Sequence, residues 1–365
     1  MEDLVNRSWR GKRVLITGHT GFKGSWLSLW LTQMGAEVIG FSLPAETPSL
    51  FRQARLDELV THLEGDIRDI GAVEAALTAA RPDVVFHLAA QPLVRLSYDR
   101  PIETFATNVQ GTVHLLDACR RMPTVKAIVC ITSDKCYENR EWVWPYRETD
   151  PMGGHDPYSA SKGAAEIAIS AYRRSYFNTG DGPKVASVRA GNVIGGGDWA
   201  HDRLIPDILR ALIAGDSPLI RSPHSIRPWQ HVLEALGGYL MIAMRLLNRH
   251  EGAADGWNFG PAESDARPVS WIADYLTRAW GRAGWISGAA DSPRTHEANI
   301  LKLDCAKAHA ELGWKPIFSI ETALERVVEW HRLVASGGDA RAITLSQLAD
   351  YGARFGAMLS SKEIA

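Results

Sequence analysis

The chain has 365 residues, 45% of them hydrophobic and 22% charged, with a formal net charge of -2. That is the make-up of a soluble globular protein long enough for two lobes, and it gives no global basic field to hold nucleic acid or anionic lipid. No apolar run approaches the ~20 residues of a spanning helix, the opening MEDLVNRSWRGKR lacks a secretory core, and Cys119, Cys130, Cys136 and Cys305 have neither C-x-x-C spacing nor the density of a disulfide framework, which points to a reducing cytoplasm.

RVLITG at 13–18 is a short β-branched run ending in glycine, and FKGSWLSLWLTQMG at 22–35 follows with helical spacing of its apolar residues. EVIGFSL at 37–43 is a second strand, so the chain opens as a parallel doubly wound sheet. The rhythm predicts further strands near 59–65, 83–90, 125–132 and 184–190, with helices over 69–80, 99–121 and from Pro157 onward. Runs such as VVF and AIVC are apolar on both faces, as parallel strands between helix layers are. Beyond Gly191 the glycine-rich GNVIGGGDW reads as a loop. Helices near 203–214, 231–249, 270–280 and 319–335 then suggest a smaller lobe over the sheet's edge. The expected division is a dinucleotide-binding α/β domain over 1–190, joined by part of 231–260, a ligand-binding lobe over 191–335, and a helical tail over 336–365 that frays into SSKEIA.

The turn after the first strand is Gly18-His19-Thr20-Gly21-Phe22-Lys23-Gly24. Glycine permits the tight turn and close backbone approach, and the following helix presents free N–H groups to a pyrophosphate. The spacing is one residue longer than the usual fingerprint, but its place between strand and helix supports a dinucleotide. The acidic residue that normally holds the ribose hydroxyls of NAD is missing at Ser42 and Leu43. Glu46 is a substitute, while Arg52 and Arg55 keep NADP open. Asp66 and Ile67 follow the third strand where an adenine rests, and Ala89, Ala90 and Gln91 end the fourth near the nicotinamide ribose.

ITSDKC at 131–136 puts hydroxyls, a carboxylate and an ammonium at the tip of a buried strand, the place where open α/β sheets bind ligands. Tyr158 and Lys162, four apart on one helix face, follow. A surface ion pair at Asp134 and Lys135 is the plain alternative. His87 and His155 have no metal-like partner spacing.

GHTGFKG, HLAAQPLV, ITSDK and YSASK together resemble the extended short-chain dehydrogenase/reductase family. TSDKCYENREWVWPYRE, RAGNVIGGGDWAHDRLIPD and IRPWQHV narrow the resemblance to its CDP-glucose 4,6-dehydratases, over about residues 9–335. The likeness implies a Rossmann-type fold, NAD as cofactor, CDP-glucose as substrate and a homodimer built on helices at 99–121 and 157–177. It implies that Tyr158 is the base at the carbon-4 hydroxyl, that the Lys162 ammonium favours its phenolate, and that Thr132 donates a hydrogen bond to the same oxygen. Elimination of water from carbons 5 and 6 needs two further groups. Asp134 is then the acid for the leaving hydroxyl, which requires a raised pKa. Lys135 either takes the carbon-5 proton or holds water or an enolate; dTDP-glucose dehydratases have glutamate there. Asn192, Arg203, Arg227 and His231 become candidates for the diphosphate sugar, with Arg227 suited to bidentate phosphate contact and Arg203 equally readable as a solvated helix face.

The rival readings are a nucleotide-sugar 4-epimerase, a dehydratase of another nucleotide-glucose, and a non-catalytic NAD-binding regulator. The first needs Tyr158 and Lys162 but no acid–base pair at 134 and 135; the last needs only the glycine turn.

Overall fold

The computed structural model describes residues 8–177, 180–288 and 300–360. Residues 1–7 and 361–365, with most of the opening segment and of the frayed end read from the sequence, lie outside that range. Seven parallel strands form one sheet in the order β3-β2-β1-β4-β5-β6-β10: β1 (Arg13–Thr17), β2 (Glu37–Ser42), β3 (Thr61–Glu64), β4 (Val84–His87), β5 (Ala127–Ile131), β6 (Lys184–Ala190) and, after three strands that lie outside this sheet, β10 (Gly256–Phe259). Every residue of β4 and β5 is buried, because helices cover both faces. From β3 the chain crosses back to β4 beside β1, so the sheet reverses direction between β1 and β4. A crevice opens there, outside the carboxyl ends of the strands.

The helices that frame this crevice are α1 (Phe22–Gln33), α2 (Ile70–Ala80), α3 (Gly111–Arg120) and α4 (Pro157–Ser175). Proline at the first turn of α4 and the Asp156 carboxylate on the Ser159 N–H fix where α4 starts, hence where Tyr158 and Lys162 point. The helix expected over 99–121 runs without a gap from Pro101 to Arg120, with residues 106–110 wound as a wider turn before α3, and a separate short helix, Val94–Asp99, precedes it. Proline at 101 has no N–H for the preceding turn to bond, so the helix restarts there.

The smaller lobe has α5 (Leu204–Ala214), α7 (Val269–Trp280) and α8 (Ile320–Ala335), packed with a three-stranded sheet of β7 (Asn192–Ile194), β9 (Ile226–His231) and β11 (Ala266–Pro268). The short β8 (Leu219–Ile220) lies at its margin. The sequence pattern showed helices here and none of these strands. By contrast α6 (Val232–Leu247) lies on β5 and β6 of the large sheet, and the tail helix α9 (Ala340–Ser360) packs on α1, α6 and α8.

Tyr351 ties α9 down: its hydroxyl donates to Glu234 Oε2 at 2.9 Å, and Glu234 also accepts the N–H groups of Ile317 and Phe318 at 3.1 and 2.8 Å. Burial nevertheless pushes the Glu234 carboxyl up to about 7. A carboxyl raised in the folded state contributes stability that is present below its unfolded value near 4.5 and lost as pH rises through the folded value. Urea unfolding is expected to show Tyr351→Phe less stable by about 1–3 kcal/mol, and the stability of wild type relative to Glu234→Gln is expected to fall as pH is raised from about 4.5 through about 7. An unchanged difference between the two proteins over that range would remove Glu234 from the account.

Candidate active site

A cleft of about 820 Å³ runs along the crevice and is lined by the glycine turn, the ends of β2 to β5, the start of α4 and the facing edge of the smaller lobe. At its dinucleotide end the turn is held by contacts that only glycine allows. Gly18 is left-handed, with φ 74°, and a Cβ there would stand 2.7 Å from the Ala89 nitrogen. A Cβ on Gly24 would stand 2.3 Å from the Gly18 carbonyl oxygen. Gly21 precedes α1 without a side-chain cap, so the first-turn N–H groups remain for a ligand. Gly18, Gly21, Phe22, Lys23 and Gly24 all line the cleft, and this donor set fits a pyrophosphate.

Further along, Asp66, Ile67, Ala89, Ala90 and Gln91 line the same cleft. Asp66 is clasped by Arg68 through Nε at 2.9–3.0 Å, which holds its carboxyl below the usual range. The Gln91 amide is already used, donating to Leu93 O and Thr104 Oγ1, so only its surroundings remain for a ligand. In place of the missing acid, Ser42 Oγ meets Thr20 Oγ1 at 2.8 Å and His19 Nδ1 at 3.2 Å. Neither arginine that kept NADP open reaches the cleft lining: Arg52 donates to Ala45 O and Arg55 pairs with Asp339 at 3.2 Å. Arg68, which lines this end of the cleft, is already paired with Asp66, and the set fits NAD.

At the other end the tip of β5 meets α4. Asp134, Ser133, Tyr158 and Lys162 are nearly buried, and Lys135 is half-buried in the cleft wall. Ser133 Oγ donates to Asp134 Oδ1 at 2.9 Å and is near enough to the Tyr158 phenol to oppose the rise of its pKa. Burial raises the Asp134 carboxyl above its ordinary range, against the opposing charge of Lys135, the Ser133 hydroxyl, Lys23 and Arg227. Among the described residues Asp134 and Lys135 form no ion pair, and the Lys135 charge acts on Asp134 without closing on it. Burial also pushes Tyr158 up to about 12, with Ser133 and Arg203 pulling the other way, and pushes Lys162 down to about 8 against the charge of Glu166. The Lys162 Nζ stands 5.9 Å from the Tyr158 ring centroid.

Two expected site residues face elsewhere. The Thr132 hydroxyl turns away from Tyr158 and donates to Glu166 Oε1 on α4 at 2.5 Å, so it cannot also serve a sugar oxygen. Its neighbour Ser133, which the sequence reading passed over, stands in that place; the alternation of side chains along a strand was the signal, since adjacent residues face opposite ways. His231 is fully buried: its Nδ1 accepts the Leu233 N–H at 3.3 Å and caps α6, and its ring packs on Trp26 and Phe318. It does not line the cleft, and the capping position ahead of the apolar run VLEAL marked it as a helix start.

Asn192, Arg203 and Arg227 do line the cleft. Arg203 is paired with Asp198 at 3.0 Å, and its charge is felt at Tyr158. Arg227 is near enough to oppose the rise of Asp134.

Residues 14–253 match the model of the family described as "NAD dependent epimerase/dehydratase family". The chain is 54% identical to the CDP-glucose 4,6-dehydratase of Salmonella typhimurium, over 94% of this chain and 97% of that protein. Among solved structures it is similar to a double mutant of DesIV, a dTDP-glucose 4,6-dehydratase from Streptomyces venezuelae with NAD bound, at a TM-score of 0.77 and 24% identity over 90% of this chain and 99% of the other. The UDP-glucose 4-epimerase of Thermotoga maritima gives a TM-score of 0.76 at 24% identity, over 88% of this chain and 99% of the other. The fold thus serves both dehydration and epimerisation.

Gly24→Ala drives a methyl into the Gly18 carbonyl and should weaken NAD binding by at least about tenfold, read as the cofactor concentration that half-quenches tryptophan fluorescence. Wild-type affinity in a folded Gly24→Ala protein would contradict the reading of this turn.

Proposed function

Because the chain belongs to the NAD dependent epimerase/dehydratase family, we infer that this cleft converts CDP-D-glucose to CDP-4-keto-6-deoxy-D-glucose. The protein is an NAD-dependent hydro-lyase. The observation that supports dehydration, as against epimerisation, is the buried carboxyl of Asp134, raised above its ordinary range by burial and hydrogen-bonded to Ser133 beside Tyr158. An epimerase needs no acid for a departing hydroxyl.

Bound NAD supplies the oxidant for carbon 4 and gives the same electrons back at carbon 6, so the reaction ends without net redox change. Tyr158 takes the proton of the carbon-4 hydroxyl. Ser133, whose hydroxyl can rotate toward the phenolate, stabilises the charge, in place of the Thr132 expected from sequence. The Lys162 ammonium adds positive charge behind them. Once carbon 4 is a ketone, the hydrogen on carbon 5 is acidic, and Lys135 in the cleft wall removes it or steadies the enolate. Asp134, its carboxyl raised by burial, gives its proton to the hydroxyl leaving carbon 6. Arg227 and Asn192 hold the diphosphate end, with Arg203 shared between it and Asp198. The preference for cytosine over thymine or uracil is supported by the 54% identity to the Salmonella typhimurium enzyme.

Two copies would pair through α3 and α4, which pack side by side and leave Ile102, Phe105 and Ile167 exposed nearby. Four free, buried cysteines support a reducing cytoplasm. No helix among the described residues is long and apolar enough to cross a membrane.

Purified protein with CDP-glucose and NAD should give the alkali-labile absorbance of a 4-keto-6-deoxy sugar, with dTDP- and UDP-glucose run in parallel. Asp134→Asn is expected to lower that rate by ~10²–10⁴-fold. Formation of CDP-galactose without the keto chromophore would favour an epimerase. Light scattering should give a mass above the 40.2 kDa of one chain; a value near that figure would overturn the dimer.

A further inference from the structure

The strand tip is not held by its own turn alone. Glu166 lies on α4 one turn beyond Lys162 and two beyond Tyr158, on the same helix face. It is buried, and its two oxygens accept four hydrogen bonds, from Thr132 Oγ1 at 2.5 Å, Ser187 Oγ at 2.7 Å, Arg189 Nε at 3.0 Å and Arg189 Nη2 at 2.7 Å. Arg189, on β6, in turn donates to the Tyr137 hydroxyl at 2.6 Å, and Tyr137 donates to Asn258 on β10. One carboxylate therefore joins the end of β5, the strand beside it and the helix that carries the tyrosine and lysine.

We propose that Glu166, acting through Thr132 and Lys162, is a positioning residue of the reaction: it pins the end of β5 to α4 so that Ser133 and Asp134 stand against Tyr158, and it sets its negative charge behind the Lys162 ammonium. The inference rests on the dehydratase reading. Thr132 is the residue immediately before Ser133; its N–H is held by Val188 O at 2.9 Å, and releasing its hydroxyl removes the tie that joins this peptide to α4. The cost of that freedom falls on the chemical step, because a misplacement of ~1 Å far from the reacting bonds can lower a rate by about 10²-fold. The charge works separately. The groups facing Lys162 are Glu166 on its own helix, Cys136 in the tip turn, Cys130 on β5, His87 on β4 and Lys23 at the glycine turn. Of these Glu166 is the one carboxylate, and it opposes the burial that pulls the ammonium down to about 8. Without it the lysine loses its proton at lower pH, and the alkaline limb of the rate profile moves toward neutrality.

The test uses three variants of the full chain, each checked for cooperative thermal unfolding. Thr132→Val keeps the shape and removes the tether; the proposal requires kcat to fall by about 10²-fold while the KM for CDP-glucose stays within about twofold of wild type. Thr132→Ser restores the hydroxyl and should restore turnover. Glu166→Gln removes the charge and keeps the volume; its alkaline limb should lie at lower pH than that of wild type. Should Glu166→Gln fail to fold, Thr132→Val and Thr132→Ser still decide the tether. Equal kcat in Thr132→Val and wild type overturns the proposal, as does an unmoved alkaline limb in folded Glu166→Gln. Absence of any turnover of CDP-glucose by wild type would instead overturn the dehydratase reading itself.

Discussion

Everything at the tip of β5 depends on the buried pair of Glu166 and Arg189. Removing two opposite charges from water costs several kcal/mol per ion, and attraction between them offsets that cost only when the remaining donors and acceptors are also satisfied. Here they are: Thr132, Ser187 and both arginine nitrogens cover the carboxylate, and Tyr137 takes a further arginine N–H. The groups that meet this requirement come from β5, β6 and α4, so satisfying the pair fixes the relative placement of those three elements. The reacting side chains then inherit that placement.

The same strand end shows how environment separates two carboxyls. Glu166 is held below the ordinary range because the Arg189 charge and four hydroxyl or guanidinium hydrogen bonds favour its charged form over the opposing effect of burial. Asp134, no less buried, has one hydroxyl partner and no guanidinium hydrogen bond, so burial prevails and its carboxyl lies above the ordinary range. One carboxylate is structural, and the other is poised to give up a proton. Assignments of acid and base follow from such divergence.

Much of this was legible from the chain. The glycine turn, the alternation of buried strands with helices, and the Tyr158–Lys162 spacing all depend on local pattern, and local pattern is what a sequence displays. The choice between Thr132 and Ser133 depends on which helix lies behind β5, a matter of packing rather than of spacing. His231 was misplaced for a similar reason, since a histidine before an apolar run is read equally as a ligand contact or as a helix cap until its surroundings are known. The strands β7, β9 and β11 were missed because they are three to six residues long, and β9 and β11 each contain a proline. Such pieces gain their order from one another, not from propensity.

Cys136 shares its turn with Asp134 and Lys135, and a sulfur so placed invites the expectation of a reactive handle. Burial instead raises its thiol well above the ordinary value, and it raises Cys130 and Cys305 to about 12. Peroxides and soft electrophiles attack the thiolate, which is all but absent here. The acid–base turn is therefore insulated from oxidant stress in the cell that carries it, and a covalent inhibitor of this cleft has to find its nucleophile among the amines.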